Sequence, residues 1–110
     1  MKYLILLCVL PLISAGDCNK KDSIPTCIQA IIDQGQKQSP PDGPVQIDEY
    51  RYKDKRVYLF TAPCCDQYNT LYDEECVSIC APSGGITGKG DGKCPDFTVT
   101  ATHVKLVWKK

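Results

Sequence analysis

Apolar residues along this chain recur with different spacings, and each spacing marks a different kind of element. Tyr3 to Ile13 is almost continuously apolar, broken only by Pro11. The run is shorter than the ~20 residues a membrane helix needs. Over residues 23–34 the pattern changes: Ile24, Cys27, Ile28, Ile31 and Ile32 fall at i, i+3, i+4, i+7 and i+8. That spacing predicts one helix with a single apolar stripe, Ser23 as its cap, Pro25 in its first turn and Gly35 at its end.

The period then shortens to two. Residues 45–52 and 56–62 read as strands around a charged turn at Lys53-Asp54-Lys55. Val57, Leu59 and Thr61 alternate with Tyr58 and Phe60, so the second strand is apolar on both faces and belongs in the middle of a sheet. Tyr50, Tyr52 and Tyr58 are expected to form cross-strand packing pairs. The end, 98–108, carries a last strand at Val104 to Trp108, with Val104, Leu106 and Trp108 on one face. Residues 36–44, with Pro40, Pro41 and Pro44, read as a linker. Residues 63–75 read as a cysteine-anchored loop turning near Asp73, 76–80 as a short extended piece, and the glycine-rich stretch 81–95 as irregular. The expected fold is α+β: one N-terminal helix packed on a small antiparallel sheet of three to four strands, stapled by disulfides.

Charge and cysteine content change the picture at the N-terminus. Lys2, the apolar run and small residues Ser14-Ala15-Gly16 have the tripartite form of a secretory signal. Residues 1–16 are therefore expected to be a cleaved leader, and 17–110 a single secreted, extracellular domain. Asp17 separates Gly16 from Cys18, one position away from the arrangement that would lipidate the cysteine. The mature chain would then lack Lys2 and carry 12 basic residues against 13 acidic ones, a net charge of −1. No basic patch points to nucleic acid, and no run predicts a membrane span.

Cys8 would leave with the leader, and Cys18, Cys27, Cys64, Cys65, Cys76, Cys80 and Cys94 would remain. In an exported chain this short they read as a disulfide framework that supplements a small core. Adjacent Cys64 and Cys65 are expected to staple to two different parts of the fold, since neighbouring side chains in an extended segment point apart. Seven is odd, which leaves a thiol for a disulfide-linked dimer, with Cys18 and Cys76 the candidates. The pairing itself stays open.

Chemistry has few residues to use. Cys64-Cys65 and Cys76-x3-Cys80 lack paired-knuckle zinc spacing, and no CxxC redox motif occurs. Asp91 and Asp96 flank a flexible loop but lack the oxygen ladder of a calcium loop. The glycine loop misses the phosphate-loop pattern at both ends. His103 is the single histidine, and neither Ser78 nor Ser83 sits in a nucleophile elbow. The chain is accordingly expected to be non-enzymatic, with no metal or cofactor. Lys89-Gly90-Asp91 matches an integrin-binding triplet displayed by disulfide-rich disintegrins, but in this setting reads first as turn chemistry.

Two runs carry a resemblance. Pro63-Cys64-Cys65-Asp66-Gln67-Tyr68-Asn69 leads to Leu71-Tyr72-Asp73, and Ile79-Cys80-Ala81-Pro82-Ser83 continues through Gly-Lys-Gly-Asp-Gly (88–92) to Lys93-Cys94-Pro95-Asp96-Phe97. Together they resemble a family of small exported cysteine-rich domains of unknown function, common as bacterial lipoproteins. The likeness extends to the Cys27 helix, the Val57 to Ala62 strand and Leu106-Val107-Trp108. It implies one intact exported domain whose shared pattern includes Cys27, Cys64, Cys65, Cys80 and Cys94, with Cys76 an addition. It implies no activity.

The resulting expectation is a secreted binding or structural module, such as a matrix or secretion component, with an unidentified extracellular protein or matrix partner. Its expected contact surface is the 81–93 loop tethered by Cys80 and Cys94, with Gly84, Gly85, Thr87, Lys89, Asp91 and Lys93 as its binding residues. The alternative is a small protease inhibitor or toxin-like effector presenting the same loop.

Overall fold

The computed structural model describes residues 23–38, 43–64 and 66–110. The expected leader, Cys18, Cys65 and residues 39–42 of the 36–44 linker lie outside the described residues. The elements are α1 (Thr26–Gln38), β1 (Gln46–Tyr52), β2 (Lys55–Thr61), β3 (Tyr68–Tyr72), β4 (Ser78–Gly84), a short α2 (Phe97–Thr100) and β5 (Thr102–Lys109). The fold is α+β, with one long helix and a five-stranded antiparallel sheet ordered β4-β3-β2-β1-β5.

The sheet therefore has five strands rather than three or four. The missed strand is β3, placed by sequence inside the 63–75 loop. Its five residues are too few to show a period, although Leu71 is buried while Thr70 and Tyr72 are half-buried. β4 also runs on to Gly84, so 81–84 is strand and the irregular segment begins after it. Pro82 is tolerated there because β4 is an edge strand, where a missing N–H breaks no inner ladder.

β2 is central, as its two apolar faces require. Val57 joins Tyr52, Leu71, Cys80, Cys94 and Phe97 in one buried cluster. Tyr58 joins Ile28, Ile32 and Ile47 in another. Successive side chains of a strand point to opposite faces, so the two clusters lie on the two sides of the sheet. The helix stripe covers the second: Ile28 and Ile32 are buried, with Ile24, Cys27 and Ile31 packed around them. Cys27–Cys76 ties the helix to the β3–β4 connection, and Cys80–Cys94 ties β4 to the segment before α2.

Cys76 is thus not the odd cysteine. It is held at φ 64°, a left-handed conformation costly for a side-chain-bearing residue. Asp73 fixes that turn, its carboxylate accepting bonds from the Glu75 and Val77 amides at 2.8 and 2.9 Å. The seventh-cysteine question passes to Cys18 and Cys65, which lie outside the described residues.

Three local expectations shift. The helix starts at Thr26, its first bond running from the Gln29 amide to the Pro25 carbonyl at 2.9 Å. It also passes through Gly35 to Gln38 instead of stopping. Gly35 faces Trp108: a Cβ there would lie 3.4 Å from its ring. The β1–β2 turn is only two residues, Lys53 and Asp54, at φ 52° and 63°. That is the backbone of a tight hairpin turn whose twist suits the strands. Along β5, two register shifts break the alternation: Trp108 opposes Ile47, while Leu106 opposes Asp48. Val104, Leu106 and Trp108 therefore do not share a face. Trp108 packs on the helix-side cluster and Leu106 is exposed.

Candidate functional site: the glycine loop and the His103 pair

His103 pairs with β1. Its Nε2 lies 2.9 Å from Asp48 Oδ1, and Gln46 Nε2 donates to Asp48 Oδ2 at 2.7 Å. The Tyr50 ring meets the imidazole edge-on at 5.0 Å. Asp48 is buried, so the contact satisfies a carboxylate that would otherwise cost several kcal/mol to bury unpaired. Ser78 and Ser83 lie on β4, four strand spacings from β5, or about 19 Å at the usual separation. Ser83 Oγ is engaged by Asn69 Nδ2 at 3.0 Å. Neither serine meets His103. Among the described residues no group of three or more His, Cys, Asp or Glu side chains could hold a metal ion.

The glycine segment is tightly folded. Gly84, Gly85, Gly88, Gly90 and Gly92 all have φ between 78° and 83°. The Gly88 amide donates to Gly85 O at 3.1 Å, closing a turn over Ile86 and Thr87. The Gly84 amide donates to Gly88 O, Gly90 to Gly84 O and Asp91 to Ala81 O, at 3.3, 3.0 and 2.9 Å. The loop thereby lies along the outer side of β4 and occupies an edge that would otherwise expose unpaired backbone groups. The positive φ values are needed for close approach as well as for turning. A Cβ on Gly90 would lie 2.0 Å from Ala81 O, and one on Gly84 2.4 Å from Gln67 O.

The side chains sort accordingly. Gly85 is buried under the Tyr68 ring and Gly84 is half-buried, so neither is presented as a contact residue. Thr87, Lys89 and Lys93 are exposed. Thr87 Oγ1 accepts from the Lys89 amide at 3.2 Å. Asp91 is half-buried, its carboxylate accepting from the Lys93 amide at 3.0 Å. That bond, first among several, holds its carboxyl below the usual 3.8. An Asp91 turned back on its own loop does not display a Lys-Gly-Asp triplet.

Sequence reasoning passed over Ile86. It stands at the turn with 95% of its surface exposed, the most exposed of the large apolar side chains among the described residues. The available signal was one large apolar residue isolated among glycine, threonine and lysine. Asp96, considered for calcium, instead accepts a 2.6 Å bond from the Tyr52 hydroxyl. That bond is the main reason its carboxyl lies below 3.8 and the Tyr52 hydroxyl above 10.0.

Residues 32–110 match the family model DUF6970, described as a domain of unknown function. The match starts inside α1 at Ile32, so it includes the sheet, Cys76 and the Cys80–Cys94 loop and leaves Cys27 just before it. No curated protein and no solved structure matches the chain. Among the described residues no helix is long and apolar enough to cross a membrane.

Proposed function

The chain belongs to the DUF6970 family, and from that premise we propose that it is an exported, non-enzymatic binding module that docks on an extracellular protein or matrix partner through the 85–89 turn. The observation that carries this reading is Ile86, 95% exposed on a backbone pinned by hydrogen bonds to β4. A single exposed apolar residue is ordinary on a surface. One held on a preordered turn is suited to bind, because ordering a mobile loop would otherwise subtract from affinity. Exposed Thr87 and Lys89 supply a polar rim around it.

The inhibitor alternative fits the same loop less well. A substrate-like segment pairs with its partner as an extended strand, whereas 85–88 is a closed turn.

The experiment immobilises the oxidised mature protein and an Ile86→Asp variant and exposes both to soluble and insoluble extracellular fractions of the producing organism. A partner retained by the first and weakened about 30-fold in the second is the expected result for a central apolar anchor. Equal retention overturns the reading. Export is checked separately by the mature N-terminus, expected at Asp17, and inhibition by a protease panel.

A further inference from the structure

A second surface is independent of Ile86. Where the end of the β1–β2 hairpin meets the start of β4 and the Cys80–Cys94 bridge, there is a cleft of about 260 Å³. Buried Tyr52, Val57 and the disulfide form its floor, with exposed Ile79 on one wall. Three ammonium-bearing side chains line it: Lys53, Lys55 and Lys93. They come from the tight turn, from the first residue of β2 and from the glycine loop, so the fold brings together charges distant in sequence. Lys53 Nζ lies 5.2 Å from the centre of the Tyr52 ring, a cation–π distance that holds it over the floor. Asp73 is on the same rim and its Oδ1 already accepts two backbone amides. The lining thus carries three positive groups against one negative.

We propose that this cleft binds a small amphipathic anion, a short-chain or single-ring carboxylate, with its apolar part on the Tyr52–Val57–disulfide floor and its carboxylate among Lys53, Lys55 and Lys93. Apolar walls with a few convergent polar groups are the usual make-up of a small-molecule site. The volume is below the roughly 300–1,000 Å³ of sites for drug-sized ligands, which sets the size class. A concave surface lined by one sign of charge concentrates the opposite sign.

The test titrates the ¹⁵N-labelled oxidised protein with sodium octanoate and, separately, with neutral octan-1-ol. Octanoate is expected to bind saturably, with Kd on the order of 1 mM for so few heavy atoms. Amide shifts should concentrate at Tyr52–Val57, Ile79–Cys80 and Lys93–Cys94. The combined variant Lys53→Asn, Lys55→Gln and Lys93→Gln is expected to weaken octanoate about tenfold. Asn is chosen at Lys53 because it tolerates the left-handed turn. Unchanged amide shifts elsewhere in the spectrum confirm its fold. Ile79→Gln, which leaves every charge in place, is expected to weaken octanoate about threefold. Octanol binding as tightly as octanoate, an undiminished affinity in the triple-lysine variant, or shifts without saturation each overturn the proposal.

Discussion

The two sides of the sheet are closed by different means. On one side a regular helix lays an isoleucine stripe over Ile47 and Tyr58, and the Cys27–Cys76 bridge fastens its start. On the other, Tyr52, Val57 and Leu71 are covered by Phe97 of the α2 turn and the chain leading into it, fastened by Cys80–Cys94. The helix side is held mainly by area: side chains of the size of Ile28 and Ile32 each contribute about 1.5–3 kcal/mol when buried. The other side depends on particular conformations, with glycines where no Cβ fits and single hydrogen bonds at fixed positions. Both surfaces proposed to bind belong to this second side or to the loop beside it. Irregular chain held in place can present side chains that a packed helix face must bury.

The largest expected effects separate the two bridges. In the chain-entropy account stabilisation grows with the length of loop closed. Replacing Cys27 and Cys76 together by alanine should cost about 4 kcal/mol for a separation of 49 residues. Replacing Cys80 and Cys94 should cost about 3 kcal/mol for a separation of 14. Urea melts give these numbers, and hydrogen exchange should sharpen them. Only the second pair should raise the exchange rates of the Gly84, Gly88 and Gly90 amides relative to the sheet. Loop exchange rising equally in both variants would mean that the two sides are not separately fastened.

Next come two glycines of the same loop. Gly90→Ala should cost roughly 3 kcal/mol or more, because its Cβ would overlap the Ala81 carbonyl. Gly88→Ala, with nothing within 4 Å, should cost only the left-handed penalty of about 1–2 kcal/mol. Equal costs measured by thermal melts would remove the distinction between close approach and turning.

How much of this was legible follows the same division. The helix stripe and the hairpin were readable because each follows a fixed period, and the central position of β2 because both of its faces are apolar. The β3 strand was too short to show its period, and it lay between adjacent cysteines and an acidic cluster. Gly35 read as a helix stop because glycine usually ends helices, whereas here it lies inside the helix against the Trp108 ring. The loop read only as irregular because glycine content does not reveal which carbonyls the backbone will meet. Ile86 could not be recognised as presented until the turn beneath it was known. The lysine cleft unites residues 53, 55 and 93, and no local pattern joins them.

Acid should act on the loop side first. The folded pKa values of Asp91 and Asp96 both lie below 3.8, through the Lys93 amide and the Tyr52 hydroxyl respectively. Their contribution is complete above 3.8 and is lost as pH falls through the lowered values. Asp96→Asn should therefore flatten the loss of stability as pH falls below about 3.8. A slope identical to that of the parent protein in urea melts would contradict the Tyr52–Asp96 contact. The smallest expected change is Ile86→Asp, within about 0.5 kcal/mol of the parent in stability, because the side chain packs on nothing it could lose.

The central claim is that the glycine-rich loop is a fixed surface. Backbone ¹⁵N relaxation of the oxidised protein tests it most directly. Order parameters of about 0.8 or more at Gly84, Gly85, Gly88, Gly90 and Asp91, level with the neighbouring strands, are the predicted result. Values below about 0.6 across the same amides would show a mobile tether and contradict the account.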